Sequence, residues 1–174
     1  MFNIDFKFFE RYKTKVGKLF FYIFLFTILF LLLLKYFQKD NKNDDIKISK
    51  DIEKLNSIFV DIDKNCKIID FKGKKNNINF LNVISFKGNQ IGPLVLENSS
   101  NWQGSYLDNN YEVQGIQYQI VKTKYGLFVI PGDGVVLSNG KIVGENIIVN
   151  DIDNEYTIKS QFRVKGKNLF FKIK

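Results

Sequence analysis

The segment ISKDIEKLNSIFVDIDKNC, Ile48 to Cys66, decides how the rest of the chain is read. Its apolar residues Ile48, Ile52, Leu55, Phe59, Ile62 and Cys66 recur at intervals of four, three, four, three and four, which places them on one stripe of an α-helix. Ser49 and Glu53 stand near a plausible start, and Lys64 and Lys67 stand near the end, where cations complement the helix dipole. The stripe is expected to pack on its own domain, with a partner surface as the alternative.

On the N-terminal side, QKDNKNDDIK (residues 38–47) is polar and rich in turn formers, and is expected to be a solvated spacer. Before it, Thr27 is the one non-hydrophobic residue between Leu19 and Leu34, and Tyr36 and Phe37 extend the apolar stretch past Lys35. This predicts a transmembrane helix over 19–37, because lipid offers backbone N–H and C=O groups no partner outside their own segment. A cleaved signal peptide fits less well, since no small-residue cleavage site follows. Residues 1–18 carry Lys7, Arg11, Lys13, Lys15 and Lys18 and read as a basic cytoplasmic segment. A similar number of lysines follows the apolar stretch, so the N-terminus is placed inside on two other grounds: its flank is closer, and long C-terminal domains translocate largely regardless of charge. Phe2, Phe6, Phe9 and Val16 recur at roughly helical spacing, either as a lead-in lying on the inner leaflet or as the first turns of the same helix.

On the C-terminal side, residues 48–174 are expected to form one extracytoplasmic α+β domain. INFLNVISF (Ile78 to Phe86) fits both strand alternation and a helical face, and a short helix is preferred. From Tyr111 onward the pattern is β. Ile116, Tyr118 and Ile120 alternate, Thr123 to Gly126 turns the chain, and LFVI returns. Pro131 to Gly134 is a turn, and Asn139-Gly140 between VVLS and KIV reads as a hairpin with both turn positions at positive φ. Tyr156, Ile158, Phe162 and Val164 then alternate, Lys165 to Asn168 turns, and Leu169, Phe171 and Ile173 alternate again. The expected fold class is therefore α+β: an N-terminal transmembrane helix, then an amphipathic helix packed on an antiparallel β-sheet of C-terminal hairpins.

The formal net charge of +8 splits between the N-terminal segment and the remainder, and acidic residues are interspersed throughout, which argues against nucleic acid as a partner. One cysteine, Cys66, permits no intramolecular disulfide, and the absence of histidine removes the commonest general base and metal ligand. Asp151, Asp153 and Glu155 alternate within NDIDNE, so Ca²⁺ is the cation to consider there, against a plain solvated acidic turn; no other cofactor is expected. Trp102, with Tyr106 and Leu107 close behind, is expected to anchor its loop on the core, with an exposed binding aromatic as the alternative. Trp102, Tyr106 and Tyr111 would also suit an aromatic ligand-binding groove.

The layout of apolar helix, amphipathic helix, Gly92-Pro93-Leu94, then Asn101-Trp102-Gln103-Gly104-Ser105-Tyr106-Leu107 and hairpins resembles type IV pilins and type II secretion pseudopilins. The resemblance covers roughly residues 17 to 174 in architecture and about ten residues in motif. It implies a single-pass protein of the bacterial inner membrane that contacts lipid and other envelope subunits, a non-enzymatic role in assembly or protein–protein interaction, and Asp151, Asp153 and Glu155 as calcium ligands. Lys18 follows Gly17, and Tyr22 stands where the family has glutamate, so an unprocessed anchor is expected. The Pro-Gly-Asp turn at Pro131 also resembles that of membrane-anchored signal peptidases, and a hydrolase of that kind would need a Ser–Lys pair beside Asp133.

Overall fold

The computed structural model describes the backbone of residues 6–173 and the side chains of 18–20, 22–33 and 44–173. The chain divides into two units, Met1–Asp40 and Asn41–Lys174. The backbone is helical from Phe6 to Cys66 (α1), so residues 38–47, expected as a spacer without regular structure, belong to a helix. The amphipathic lead-in through Phe2, Phe6, Phe9 and Val16 lies outside the residues whose side chains are described.

In the first unit the large apolar side chains described from Leu19 to Leu33 are 42–70% exposed. Thr27 returns its hydroxyl to the Ile23 carbonyl at 2.8 Å, so the one polar side chain of the stretch is satisfied within the helix. Among the described residues no helix is long and apolar enough to cross a membrane, which corrects the transmembrane element of the expected fold class.

The second unit is α+β with antiparallel sheets. Ile48, Ile52, Leu55, Phe59, Ile62 and Cys66 of α1 are all buried, and Ile58 widens the stripe. Each such side chain contributes about 1.5–3 kcal/mol when removed from water. The helix ends where Lys67 turns left-handed at φ 55° and the Asp63 carboxylate accepts the Ile68 N–H at 2.9 Å.

After α1 come β1 (Ile68–Phe71), β2 (Lys75–Asn77), β3 (Gln90–Ile91), β4 (Leu94–Leu96), β5 (Glu112–Val113), β6 (Ile116–Gln117), β7 (Gln119–Thr123) and β8 (Gly126–Ile130). A second helix, α2 (Glu155–Phe162), precedes β9 (Arg163–Val164), β10 (Lys167–Asn168) and β11 (Phe171–Lys172). The largest sheet runs β11-β8-β7-β2, and a second runs β1-β4-β3; β5-β6 and β9-β10 are two-stranded ribbons, and all strand pairs are antiparallel. Phe59 of the α1 stripe meets Phe171 on β11 and Phe80 in a loop, at ring-centroid distances of 5.9 and 6.4 Å.

Three local expectations are overturned. Residues 78–86 form neither helix nor strand; Ile78, Phe80 and Leu81 are buried individually while Ile84 is 74% exposed. The segment from Tyr156 is helix α2 rather than a strand: Asn154 caps it by accepting the Thr157 N–H at 3.0 Å, and Ile158 and Phe162, four apart, both face the core. At Asn139-Gly140 only Gly140 has positive φ, and the Leu137 N–H reaches the Lys141 carbonyl at 2.9 Å, closing a three-residue loop rather than a two-residue turn.

Candidate functional site

The Trp102 loop is built inward. The indole N–H donates to the Val83 carbonyl at 3.0 Å, and the ring lies edge-on to Phe86 and Tyr106 at 5.4 and 4.9 Å. The backbone N–H groups of Tyr106 and Leu107 both donate to the Leu81 carbonyl, Leu107 is buried, and burial pushes the Tyr106 hydroxyl pKa up. Gly104 permits this closure, since a Cβ there would come within 2.4 Å of the indole nitrogen and 2.5 Å of the Val83 carbonyl oxygen. Trp102, Tyr106 and Tyr111 all pack half-buried against the core. Trp102 and Tyr106 meet edge-on, which anchors the loop, while Tyr106 and Tyr111 together line an open pocket of about 430 Å³ that Trp102 does not enter.

Asp151, Asp153 and Glu155 do not converge. Asp153 is buried and its carboxylate accepts the Asn150 N–H at 2.6 Å, while the Asp151 carbonyl accepts the Lys124 N–H at 2.8 Å. Glu155 lies in the first turn of α2, where a negative charge complements the helix dipole. Among the described residues no group of three or more acidic, cysteine or histidine side chains is placed to hold a metal ion. The physical reason is that Asp153 is committed to its own backbone turn and Glu155 to a helix start.

At the Pro-Gly-Asp turn, the Asp133 carboxylate receives both hydrogen bonds of the Lys75 ammonium, at 2.8 and 2.9 Å. The described serine hydroxyls that donate do so to the Lys54 carbonyl, the Thr157 carbonyl and the Asp45 carboxylate; no hydrogen bond among the described residues joins a serine hydroxyl to a lysine ammonium. The pairing that would activate a serine nucleophile is not assembled beside Asp133.

A polar seam that sequence reading missed runs along α1. Asp45, buried, accepts both the Ser138 N–H and the Ser138 hydroxyl. Gln114 bridges the Asp44 carboxylate to the Val136 backbone. The fully buried Tyr118 donates its hydroxyl to Asp51 at 2.9 Å, and Lys47 pairs with the same carboxylate oxygen at 2.8 Å. Desolvation, followed by the charge of Asp51, drives the Tyr118 pKa far above its usual value. The only signal for this in the sequence was a cluster of acids in a stretch read as solvated.

A second missed feature is an open, polar pocket of about 590 Å³ beside the β2 edge. Its lining includes Lys72, Lys75, Asn77, Asn79, Gln90 and Gln119, and contains no carboxylate and no aromatic ring. Gln90 braces the rim by accepting from Lys72 at 2.6 Å and donating to the Gly92 carbonyl at 3.0 Å. Gln119 donates to Asn77 at 3.0 Å, while its own Oε1 is buried without a hydrogen-bond partner. These residues come from three strands and two loops, so only the folded sheet gathers them. No family model matches the chain, and neither curated proteins nor solved structures gave a match.

Proposed function

We propose that the chain is a non-enzymatic assembly subunit of the bacterial cell envelope, with a pilin-like extracytoplasmic domain acting by protein–protein contact in a secretion or pilus-type apparatus. The observation that carries this reading is the contrast along α1. The stripe from Ile48 to Cys66 is buried by its own domain, whereas the large apolar side chains described between Leu19 and Leu33 are 42–70% exposed. Apolar surface of that extent gains about 25 cal/mol per Å² when covered. Lipid tails and the helices of neighbouring subunits are covers of matching chemistry. Further support comes from the order of parts along the chain, a helical apolar stretch, the amphipathic helix and then antiparallel strands with the Trp102 loop between β4 and β5, which is similar to the layout of the family that the sequence resembles.

The test introduces thiols beside the chain's single native cysteine. Cys66 is fully buried and burial raises its pKa, so it contributes little background reaction. Leu25→Cys and Leu29→Cys in the full-length protein, oxidised in intact cells, are expected to give disulfide-linked oligomers that fractionate with the envelope, while a Lys50→Cys control gives fewer. Recovery of every variant as a free monomer would reject the proposal.

A further inference from the structure

We propose that the pocket beside β2 is a saccharide-binding site, in which Gln119 and Asn77 recognise ligand hydroxyls. This inference is independent of the assembly reading. It rests on the lining chemistry: neutral amides from Asn77, Asn79 and Gln119 carry both donors and acceptors, as vicinal hydroxyl groups require, while Gln90 is held in the rim by Lys72 and Gly92. The buried Gln119 Oε1 is the sharpest element: it is closed to water and has no partner, and a turn of the Gln119 amide toward the pocket would give it a ligand hydroxyl. Asn77 and Gln119 can also turn over together, preserving their mutual bond while presenting a donor in place of the acceptor.

Other ligand classes fit less well. With no carboxylate in the lining, a divalent cation has no hard anionic ligand, and with no aromatic ring a nucleobase has no stacking face. A free phosphate would need the two lysines to converge, yet Lys72 is engaged by Gln90 and Lys75 by Asp133. The volume of about 590 Å³ accommodates a ligand of disaccharide size. The rim is preformed: the Lys72 N–H donates to the Pro93 carbonyl at 2.8 Å, and Gly92 lies so close to Phe80 that a Cβ would come within 2.5 Å of the ring.

The experiment is saturation-transfer NMR on the full chain with cellobiose, di-N-acetylchitobiose and digalacturonate as probes, alongside inorganic phosphate competition. At least one saccharide is expected to show transfer that Gln119→Leu weakens tenfold or more. Phosphate should not displace it. Gln119→Leu also removes a buried unpartnered oxygen, so its thermal midpoint should equal or exceed the parent's, separating lost recognition from lost folding; Asn79→Ala, at an exposed position, provides the second variant and should weaken binding severalfold. No transfer from any probe, transfer unchanged in both variants, or transfer from digalacturonate alone that phosphate abolishes would each overturn the proposal.

Discussion

Asp45 and Ser138, ninety-three positions apart in sequence, are joined by two hydrogen bonds that fasten helix α1 to the Asn139-Gly140 loop. The carboxylate is buried, and the Ser138 N–H it accepts lies 3.1 Å away. Asp45→Ala leaves that N–H and hydroxyl without their acceptor, and is expected to cost about 2 kcal/mol. Ser138→Ala removes one bond and keeps the other, at about 1 kcal/mol. Calorimetry of the full chain should show a Tm fall of roughly 6–10 °C for the first variant and about half that for the second. Equal Tm values for Asp45→Ala and the parent would show that the contact carries no stability.

Tyr118 gives the fold an alkaline limit. Its folded-state pKa is raised by burial and by the charge of Asp51, whereas in the unfolded chain the phenol titrates near its ordinary value of about 10. Below that value both states keep the proton and stability is unaffected. Above it the unfolded state loses the proton while the folded state holds it, so stability falls as pH rises, by up to about 1.4 kcal/mol per pH unit. Tyr118→Phe is expected to cost about 1 kcal/mol at neutral pH, with Lys47 still pairing with Asp51, and to flatten the alkaline decline. Urea midpoints measured from neutral to strongly alkaline pH would check this; parallel curves for parent and variant would refute it.

Two glycines separate steric fit from backbone conformation. A Cβ at Gly132 would lie 2.2 Å from the Gln117 carbonyl oxygen, a backbone atom that cannot swing away. Gly132→Ala should therefore destabilise by about 3 kcal/mol. Gly140 has open space around it but φ of +79°, so Gly140→Ala should cost only about 1 kcal/mol. Chemical denaturation of the pair should preserve this order, and a reversal would mean that the β6–β7 region yields more readily than its packing indicates.

Calcium should leave the domain unchanged. Asp153 already accepts a backbone N–H, and Asp151 and Glu155 are not gathered with it around a common point. Millimolar calcium is expected to shift the Tm of the full chain by less than about 1 °C, and Asp151→Asn is expected to leave that response unaltered. Asp153→Asn should lower the Tm without calcium, since a neutral acceptor holds the Asn150 N–H less strongly than a carboxylate. A calcium-dependent rise in Tm abolished by Asp151→Asn would restore the trio as a metal site.

How much was legible in the sequence depends on the range of the interactions involved. The stripe from Ile48 to Cys66 was readable because helical periodicity is local and each interval of three or four returns to the same face. The β7–β8 hairpin was readable for the same reason, whereas the turn expected over Lys165 to Asn168 is confined to Lys165-Gly166, with φ of 49° and 81°, and Lys167-Asn168 belong to β10. Tyr156 to Val164 misled because Ile158 and Phe162 satisfy a period of two as well as a helical face, and the Asn154 cap decided for the helix.

The sequence by itself determined the exposed apolar stretch, the amphipathic helix and the hairpin-rich remainder, since each follows from the order of side chains along a few turns or strands. Only the tertiary structure decided that buried Asp45 meets Ser138 and that buried Tyr118 meets the half-buried Asp51, and that Lys72, Asn77, Gln90 and Gln119 share one pocket. Their partners lie tens of residues away, and a polar side chain carries no periodic mark of the distant group that will satisfy it.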